Sequence, residues 1–370
     1  MSNKQSIRMA DSFMQQYPIV SDMPFQKRRC WNYENGCILT ALERLWRFTG
    51  DERYLTYIKT NMDLFIQPDG RIDTYFLEEY NVDQINQGKT LFLLFEQTGE
   101  EKYRIAIETL VTQMKGHPRT SEGGLWHKKI YPFQMWLDGV YMTSPFLSQY
   151  AKTFNEPHWY DDVAHEILLM ERRSRDAKTG LLYHGWDESK EQAWADQTTG
   201  CSPHFWGRAV GWYVMAIVDV LDDLPIDHKD RGQIIGIFHR LAEAIVRVQD
   251  EKSGLWYQIL EQGEREGNYV EASASSMFVC ALAKGVRKGY LGNDFLEAAQ
   301  RGYAGLIEHC VEEDADGSLH LNQICSVAGL GGNPYRDGSY AYYISEPVRR
   351  DDPKGFAPFV MACLELELIG

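Results

Sequence analysis

The chain has 370 residues, 44% hydrophobic and 25% charged, with a formal net charge of −15. That acidic balance argues against nucleic acid, whose phosphates select the opposite sign. No apolar run approaches the roughly 18 residues of a membrane span, so no membrane partner is expected. "MSNKQSIRMADSF" at the N-terminus lacks an apolar secretory core, so a soluble, cytoplasmic protein is expected. The cysteines, at positions 30, 37, 201, 280, 310, 325 and 363, are odd in number and show no C-x-x-C spacing, as for free thiols in a reducing compartment. The ten histidines lack HExxH spacing, and no zinc-type cluster is visible, so neither metal nor cofactor is expected.

Along the chain, "CILTALERLWRF" places Ile38, Leu42, Leu45 and Trp46 at helical spacing and runs into "TGDERY" at 49–54. The pattern recurs when "TLFLLFEQ" runs into "TGEEKY" at 98–103. Gly50 and Gly99 occupy the position of a left-handed helix stop. The acids after them suit the first turn of a following helix. Each of these helices leads to a glycine turn, "PDGRI" at 68–72 and "SEGGLWH" at 121–127. More loosely, "NEPHWY" at 155–160 leads to "AKTGLLYHGW" at 177–186, and "EKSGLWY" at 251–257 and "EDADGSLHL" at 313–321 follow. Gly70, Gly124, Gly180, Gly254 and Gly317 thus punctuate five helix-turn-helix units, longer than the common solenoid repeats. A sixth is assembled from "GFAPFVMACLELELIG" at the C-terminus and "SIRMADSFMQQY" at the N-terminus.

Six hairpins whose last pair joins both chain ends predict a closed ring. The expected fold is all-α, an (α/α)6 barrel with short rim strands and loops, forming one catalytic domain over residues 1–370. An open α-solenoid is the alternative, but no distinct polar capping repeat stands at either end. "GLWYQIL" and "GLLYHGW" are candidate rim strands. In such a ring the glycine-aromatic loops join each outer helix to the next inner one, so they gather at one mouth, where function is expected. "AGLGG" at 328–332 lacks the context and lysine of a P-loop and reads as a flexible loop. "SYAYYISEPVRRDDPKG" at 339–355 reads as a non-helical stretch able to close over the mouth.

Ten Trp and 21 Tyr, many in or just after these loops, suggest sugar stacking at the rim, although any single ring reads equally as core. Asp138 opens an otherwise apolar helix in "YPFQMWLDGVYMTSPFL". A first-turn acid favoured by the helix dipole has the same appearance as a catalytic acid in apolar surroundings. Asp83, in "NVDQINQGKTLFLLF", holds the corresponding place one unit earlier, so the two carboxylates are expected to project into the mouth as an acid/base pair. His127 and His184 occupy equivalent loop positions and are candidates for substrate contact. In "SPHFWGRAVGWY", Trp206, Arg208 and Trp212 combine stacking rings with a carboxylate-binding guanidinium, or else a structural ion pair.

The blocks "SEGGLWHKKIYPFQMWLDGVYM", "GLLYHGWDE", "GCSPHFWGRAVGWYVMA" and "GYLGNDF", in that order, resemble the unsaturated rhamnogalacturonyl hydrolases of glycoside hydrolase family 105. The resemblance runs from "WNYENG" at 31–36 to "DDPKGFAPFVMA" at 351–362. It implies an (α/α)6 barrel and a small unsaturated uronyl disaccharide as substrate. It also implies hydration of the C4=C5 double bond rather than two-carboxylate glycoside cleavage. By that resemblance Asp138 is the general acid/base, aided by its apolar setting, and Asp83 its partner. His184 positions water or a sugar hydroxyl. Tyr33, Trp206, Arg208 and Trp212 line the uronate subsite, with His127 and Gln134 in the same wall. Asn32 and Glu34 stand where variation is expected. Residues 325–354 match only loosely, which leaves the second-sugar preference open. The alternatives are an unsaturated glucuronyl hydrolase of the family 88 type, acting on glycosaminoglycan- or ulvan-derived disaccharides, and a non-catalytic carbohydrate-binding protein. The last has no use for the two aspartates.

Overall fold

A computed structural model describes residues 4–370. The chain opens on α1 (Gln5–Gln16). Asn32 caps α2 (Tyr33–Thr49) by accepting from the Asn35 N–H, and Gly50, at φ 68°, ends it. The turn stays short because Asp51 at once caps α3 (Glu52–Met62) through the Arg53 N–H. A left-handed stop followed by an immediate restart also joins α4 (Lys89–Thr98) to α5 (Glu101–Gly116) at Gly99. Asn155 does the same between α6 (Leu137–Phe154) and α7 (His158–Ser174). Two more hairpins follow, α8 (Gly207–Asp223) with α9 (Arg231–Arg247) and α10 (Ala272–Arg287) with α11 (Asp294–His309). After the short α12 (Tyr340–Ser345), Asp352 caps α13 (Pro353–Ile369), whose first residue is a proline suited to that position.

α2, α4, α6, α8, α10 and α13 pack side by side, and α13 returns to α2, so the ring is closed. Five outer helices each cover their inner partner, and α1 takes the sixth outer place against α13. Patterning explains the sorting. α8 is apolar nearly all round and buried on every side, whereas α9 buries a stripe of Ile234, Ile237, Phe238, Leu241 and Ile245. Closure across the chain ends is specific: the Ser6 N–H and hydroxyl donate to the two Glu367 carboxylate oxygens at 3.0 and 2.6 Å. Phe13 packs on Phe356 with ring centroids 4.8 Å apart. The expected (α/α)6 barrel is therefore the fold. No helix among the described residues is long and apolar enough to cross a membrane. All seven cysteines are free, as expected.

The short turns close the narrow end of the barrel. There Asp219 pairs with Arg44 at 2.6 Å and Lys284 at 2.7 Å, and Lys284 also reaches Asp222 at 2.6 Å. Burial alone would push the Asp219 carboxyl up, but Arg44 and Lys284 outweigh it and hold it far below the usual carboxylate range.

The long connections lie at the opposite end. β1 (Gln134–Trp136) pairs antiparallel with β2 (Gly185–Asp187), which places Met135 opposite Trp186. β3 (Val311–Glu313) pairs with β4 (Leu319–Leu321), and β5 (Ile324–Cys325) with β6 (Val348–Arg349). The "GLLYHGW" segment thus supplies a strand. "GLWYQIL" does not: it makes only single bridges, Trp206 to Ile259 and Tyr257 to Val270. In the second unit the left-handed glycine is Gly123, at φ 89°, and not Gly124. Gly124 is instead a close-approach position, where a side chain would collide with Met135 and Leu169. Residues 339–355 are not wholly non-helical, because Ser339 caps α12 through the Tyr342 N–H. That turn carries Tyr343, fully buried, into the mouth wall, so this part of the stretch is wall rather than cover.

Replacing Asp219 with asparagine is expected to leave Arg44 buried without a countercharge and Lys284 with Asp222 alone, at a loss of roughly 3–5 kcal/mol in urea unfolding. Since the native pKa of Asp219 lies below the unfolded value of 3.8, this contribution is full above that pH and fades as the solution is acidified. The variant should therefore lose less stability than the wild type between neutral and strongly acid pH.

Candidate active site

The inner helices all begin at the mouth, and the candidate residues sit in or just before their first turns. Asp138 is the second residue of α6, which follows β1 directly. Strand pairing sets its partner, because the Leu137 N–H donates to the His184 carbonyl at 3.0 Å and β2 begins at the next residue. Across this junction His184 Nε2 stands 3.2 Å from Asp138 Oδ2. The two are not aligned for a hydrogen bond, so each is a buried polar atom without a hydrogen-bond partner among the described residues. On its other side, Nδ1 lies 2.7 Å from the Tyr343 hydroxyl. Burial pushes the Tyr343 phenol well above its usual range, so it keeps its proton. With Tyr343 donating to Nδ1 the imidazole proton sits on Nε2, facing Asp138; with Nδ1–H donating to the phenol, Nε2 is the bare acceptor.

Asp83 lies one unit earlier, in the 3-10 turn Val82–Gly88 that leads into α4 and packs on α6. The expected carboxylate pair is therefore brought to one mouth, although Asp83 stands in a 3-10 turn and not on the inner α-helix itself. Its oxygens lie 2.6 Å from Lys128 Nζ and 3.6 Å from His127 Nε2. Burial works against its charge, but Lys128, His127 and Arg336 prevail and hold the carboxyl below its usual range. Asp83 is thus a fixed, compensated carboxylate, whereas Asp138 makes no ion pair with lysine or arginine. His127 lies within electrostatic reach of both acids, its ring stacked on Trp136 at 4.2 Å and 16°. Burial pushes its pKa down to about 4 despite Asp83, so it is neutral near pH 7, with Nδ1 unpartnered.

Arg208 begins α8 and is 1% exposed. It donates to the Cys325 carbonyl and, at 3.4 Å, to Ser273 Oγ, while Nε has no hydrogen-bond partner. No carboxylate pairs with it among the described residues, which disposes of the structural ion pair as its explanation. Its guanidinium lies 4.9 Å from the Trp206 ring. Trp206 in turn packs on His184 at 4.8 Å and is held by Gln258 through its indole N–H. Tyr33 starts α2. Burial, with Glu34 and Asp83 nearby, keeps its phenol protonated and thus a donor.

Two expected wall residues sit behind the surface. Gln134 accepts from the Trp136 indole at 3.3 Å and so steadies that ring. Trp212 is fully buried one turn below Arg208, stacked on Tyr141 at 4.7 Å as part of the floor. The structure adds Lys128, Tyr343 and Arg336, none singled out by sequence. Lys128 was visible as the residue after His127 in "LWHKK". Arg336 lies in a loop and Tyr343 in the six-residue α12, too short for periodicity to mark. A mouth with one compensated carboxylate, one without a cationic partner, a neutral histidine, a free arginine edge and stacking rings suits acid/base chemistry on an anionic sugar.

A sequence profile described as Glycosyl Hydrolase Family 88 matches residues 5–369. A solved glycoside hydrolase from family 105 of C. acetobutylicum ATCC 824 is 49% identical and superposes with a TM-score of 0.95, over 99% of this chain and all of that one. The unsaturated rhamnogalacturonyl hydrolase YesR of Bacillus subtilis is 27% identical over 296 residues, 78% of this chain and 79% of its own. The unsaturated glucuronyl hydrolase of Bacillus sp. GL1 shares the fold, with a TM-score of 0.69 at 15% identity over 98% of this chain and 95% of that one.

Lys128 lowers the pKa of both Asp83 and His127. Lys128→Met is therefore expected to move both upward. Imidazole NMR titration should find wild-type His127 neutral down to about pH 4, and the variant taking up its proton at higher pH.

Proposed function

The chain belongs to glycosyl hydrolase family 88, and we propose that within it this protein is an unsaturated rhamnogalacturonyl hydrolase. The substrate would be the disaccharide left by a lyase, with an unsaturated galacturonic acid at the non-reducing end joined to rhamnose. The observation that carries this reading is the approach of Asp138 Oδ2 to His184 Nε2 at 3.2 Å, two buried atoms without a hydrogen-bond partner among the described residues, beside an Asp83 that is already compensated by Lys128.

In the proposed reaction Asp138 delivers its proton to C4 of the C4=C5 bond. Positive charge develops at C5, where the ring oxygen shares it. Water adds to C5, and its proton returns to Asp138, so the carboxyl ends as it began. The resulting hemiketal opens at the bond between C5 and the ring oxygen. C1 is then a hemiacetal, which collapses to an aldehyde and releases rhamnose and a keto-uronate. His184, held by Tyr343, orients the water or a sugar hydroxyl at Asp138. Asp83 holds sugar hydroxyls as a fixed acceptor, with His127 in the wall beside it. Arg208 faces the uronate carboxylate next to Trp206, and the Tyr33 hydroxyl donates within the same subsite. Trp212 supports the floor and Gln134 the Trp136 ring. The location that suits an enzyme fed by small imported disaccharides is the cytoplasm.

Asp138→Asn is expected to lose at least about 10²-fold in kcat on unsaturated galacturonyl-rhamnose, followed by the fall of vinyl-ether absorbance. A variant as fast as the wild type would remove Asp138 from the mechanism. Wild-type turnover confined to unsaturated glucuronyl disaccharides would replace the proposed substrate. No turnover of either kind would leave a carbohydrate-binding role.

A further inference from the structure

The glycine-rich "AGLGG" segment has no part in the reaction above and Arg336 enters it only through its charge on Asp83, yet the two are built together. Arg336 Nε donates to the Gly331 carbonyl at 2.9 Å, and Nη2 donates to the Leu330 carbonyl at 3.3 Å and the Tyr131 hydroxyl at 2.9 Å. A side chain on Gly329 would collide with Nη1, and one on Gly332 would crowd Nη2. The glycines are therefore a cradle shaped around a guanidinium. It presses Arg336 toward the Trp136 ring, 5.9 Å away, on which Tyr131 also stacks at 5.0 Å.

Three facts show that this arginine is more than a loop clamp. Among the described residues no carboxylate pairs with it, in a chain holding 53 acids. It is only half-buried, and Nη1 has no hydrogen-bond partner there. Its charge acts on both Asp83 and Tyr343, while it bonds neither Asp138 nor His184. The far end of the barrel is closed by the Asp219 ion pairs. The neighbour of a uronate seated at Asp138 therefore lies on the open side, where Trp136, Tyr131 and Arg336 form one wall and the half-exposed Tyr335 stands in the same loop as Arg336.

We propose that Arg336 is a specificity-determining residue for the sugar joined to the uronate, its guanidinium donating to an oxygen of that second sugar. A charged planar donor on an aromatic face offers a sugar both a hydrogen-bond donor and an apolar surface. The inference rests on the proposed hydrolase reading. It adds the outer subsite that the loosely matched 325–354 stretch left open.

The test compares Arg336→Met with the wild type on two substrates, unsaturated galacturonyl-rhamnose and the methyl glycoside of the same unsaturated uronate. Loss of a charged hydrogen bond is expected to raise KM for the disaccharide by about tenfold or more, with kcat within about threefold. The methyl glycoside carries whatever effect Arg336 exerts through Asp83, so its constants should move by no more than about threefold, and the excess rise in KM on the disaccharide reads the second sugar. A rise shared equally by both substrates, or none on the disaccharide, overturns the proposal. Should Arg336→Met fail to melt cooperatively, Arg336→Lys carries the same test, since it keeps the charge but loses the fork seated in the cradle. Wild-type activity on neither substrate would instead overturn the hydrolase reading. Activity on both with no substrate-selective effect overturns the role of Arg336 alone. A sulfated second sugar as a further arm shows whether the oxygen read is a hydroxyl or an anionic one: the KM penalty in Arg336→Met is larger for the sulfated sugar if it is anionic.

Discussion

Closure of the six inner helices into one ring is the constraint on which everything else rests. Once they stand side by side, all begin at the same end, and their unsatisfied N–H groups and positive dipole ends converge there. This explains why acids crowd the first turns at the mouth. Asp83, Asp138, Glu271 and Asp352 each sit at or beside a helix start, and the Asp352 and Glu271 side chains accept from first-turn N–H groups. The same potential favours an anionic sugar. Closure itself depends on residues at the two extremes of the chain, where Ser6 meets Glu367 and Phe13 meets Phe356.

Charge is handled differently at the two ends. At the far end Arg44, Lys284 and Asp219 form a matched network, while the buried Lys89 ammonium between them and the mouth sits over the Tyr141 ring at 3.8 Å with no hydrogen-bond partner among the described residues. At the mouth matching is selective. Lys354 is shared between Glu34 and Asp352, and Lys128 compensates Asp83. Among the described residues, Asp138, Arg208 and Arg336 have no oppositely charged lysine, arginine or carboxylate partner. Buried groups left in that state cost stability, and they persist where a ligand completes them.

The "WNYENG" segment shows how scaffold and site share residues. Trp31 donates to the Gln84 carbonyl, the Asn32 N–H donates to the Gln87 side chain, and Asn86 donates to the Tyr33 carbonyl. Gly36 lets the backbone of α2 approach Gln87 so closely that any side chain there would collide with it. These contacts lock the start of the first inner helix to the turn carrying Asp83. Asn32 and Glu34, flagged as positions open to variation, are a helix cap and the partner of Lys354. Either role could be filled by another residue, which is why such positions read ambiguously.

Local pattern alone was enough to reveal the ring. Left-handed stops at Gly50 and Gly99, helical periodicity and recurring glycine turns are encoded within a few residues, and their sixfold count implies closure. Asp138 and Asp83 were legible for the same reason, as acids at equivalent points of a repeat. Lys128 stood in view beside His127 but its pairing with Asp83 did not, and Tyr343 and Arg336 were not legible, because their place depends on contacts between segments far apart in the chain. Tyr343 reaches His184 across 159 positions and Arg336 reaches Tyr131 across 205. Tertiary structure also decided that Asp83 is compensated by Lys128 while Asp138 is not. A sequence shows which groups can ionise. Which of them meet a countercharge depends on distances of a few ångströms that only the closed ring sets.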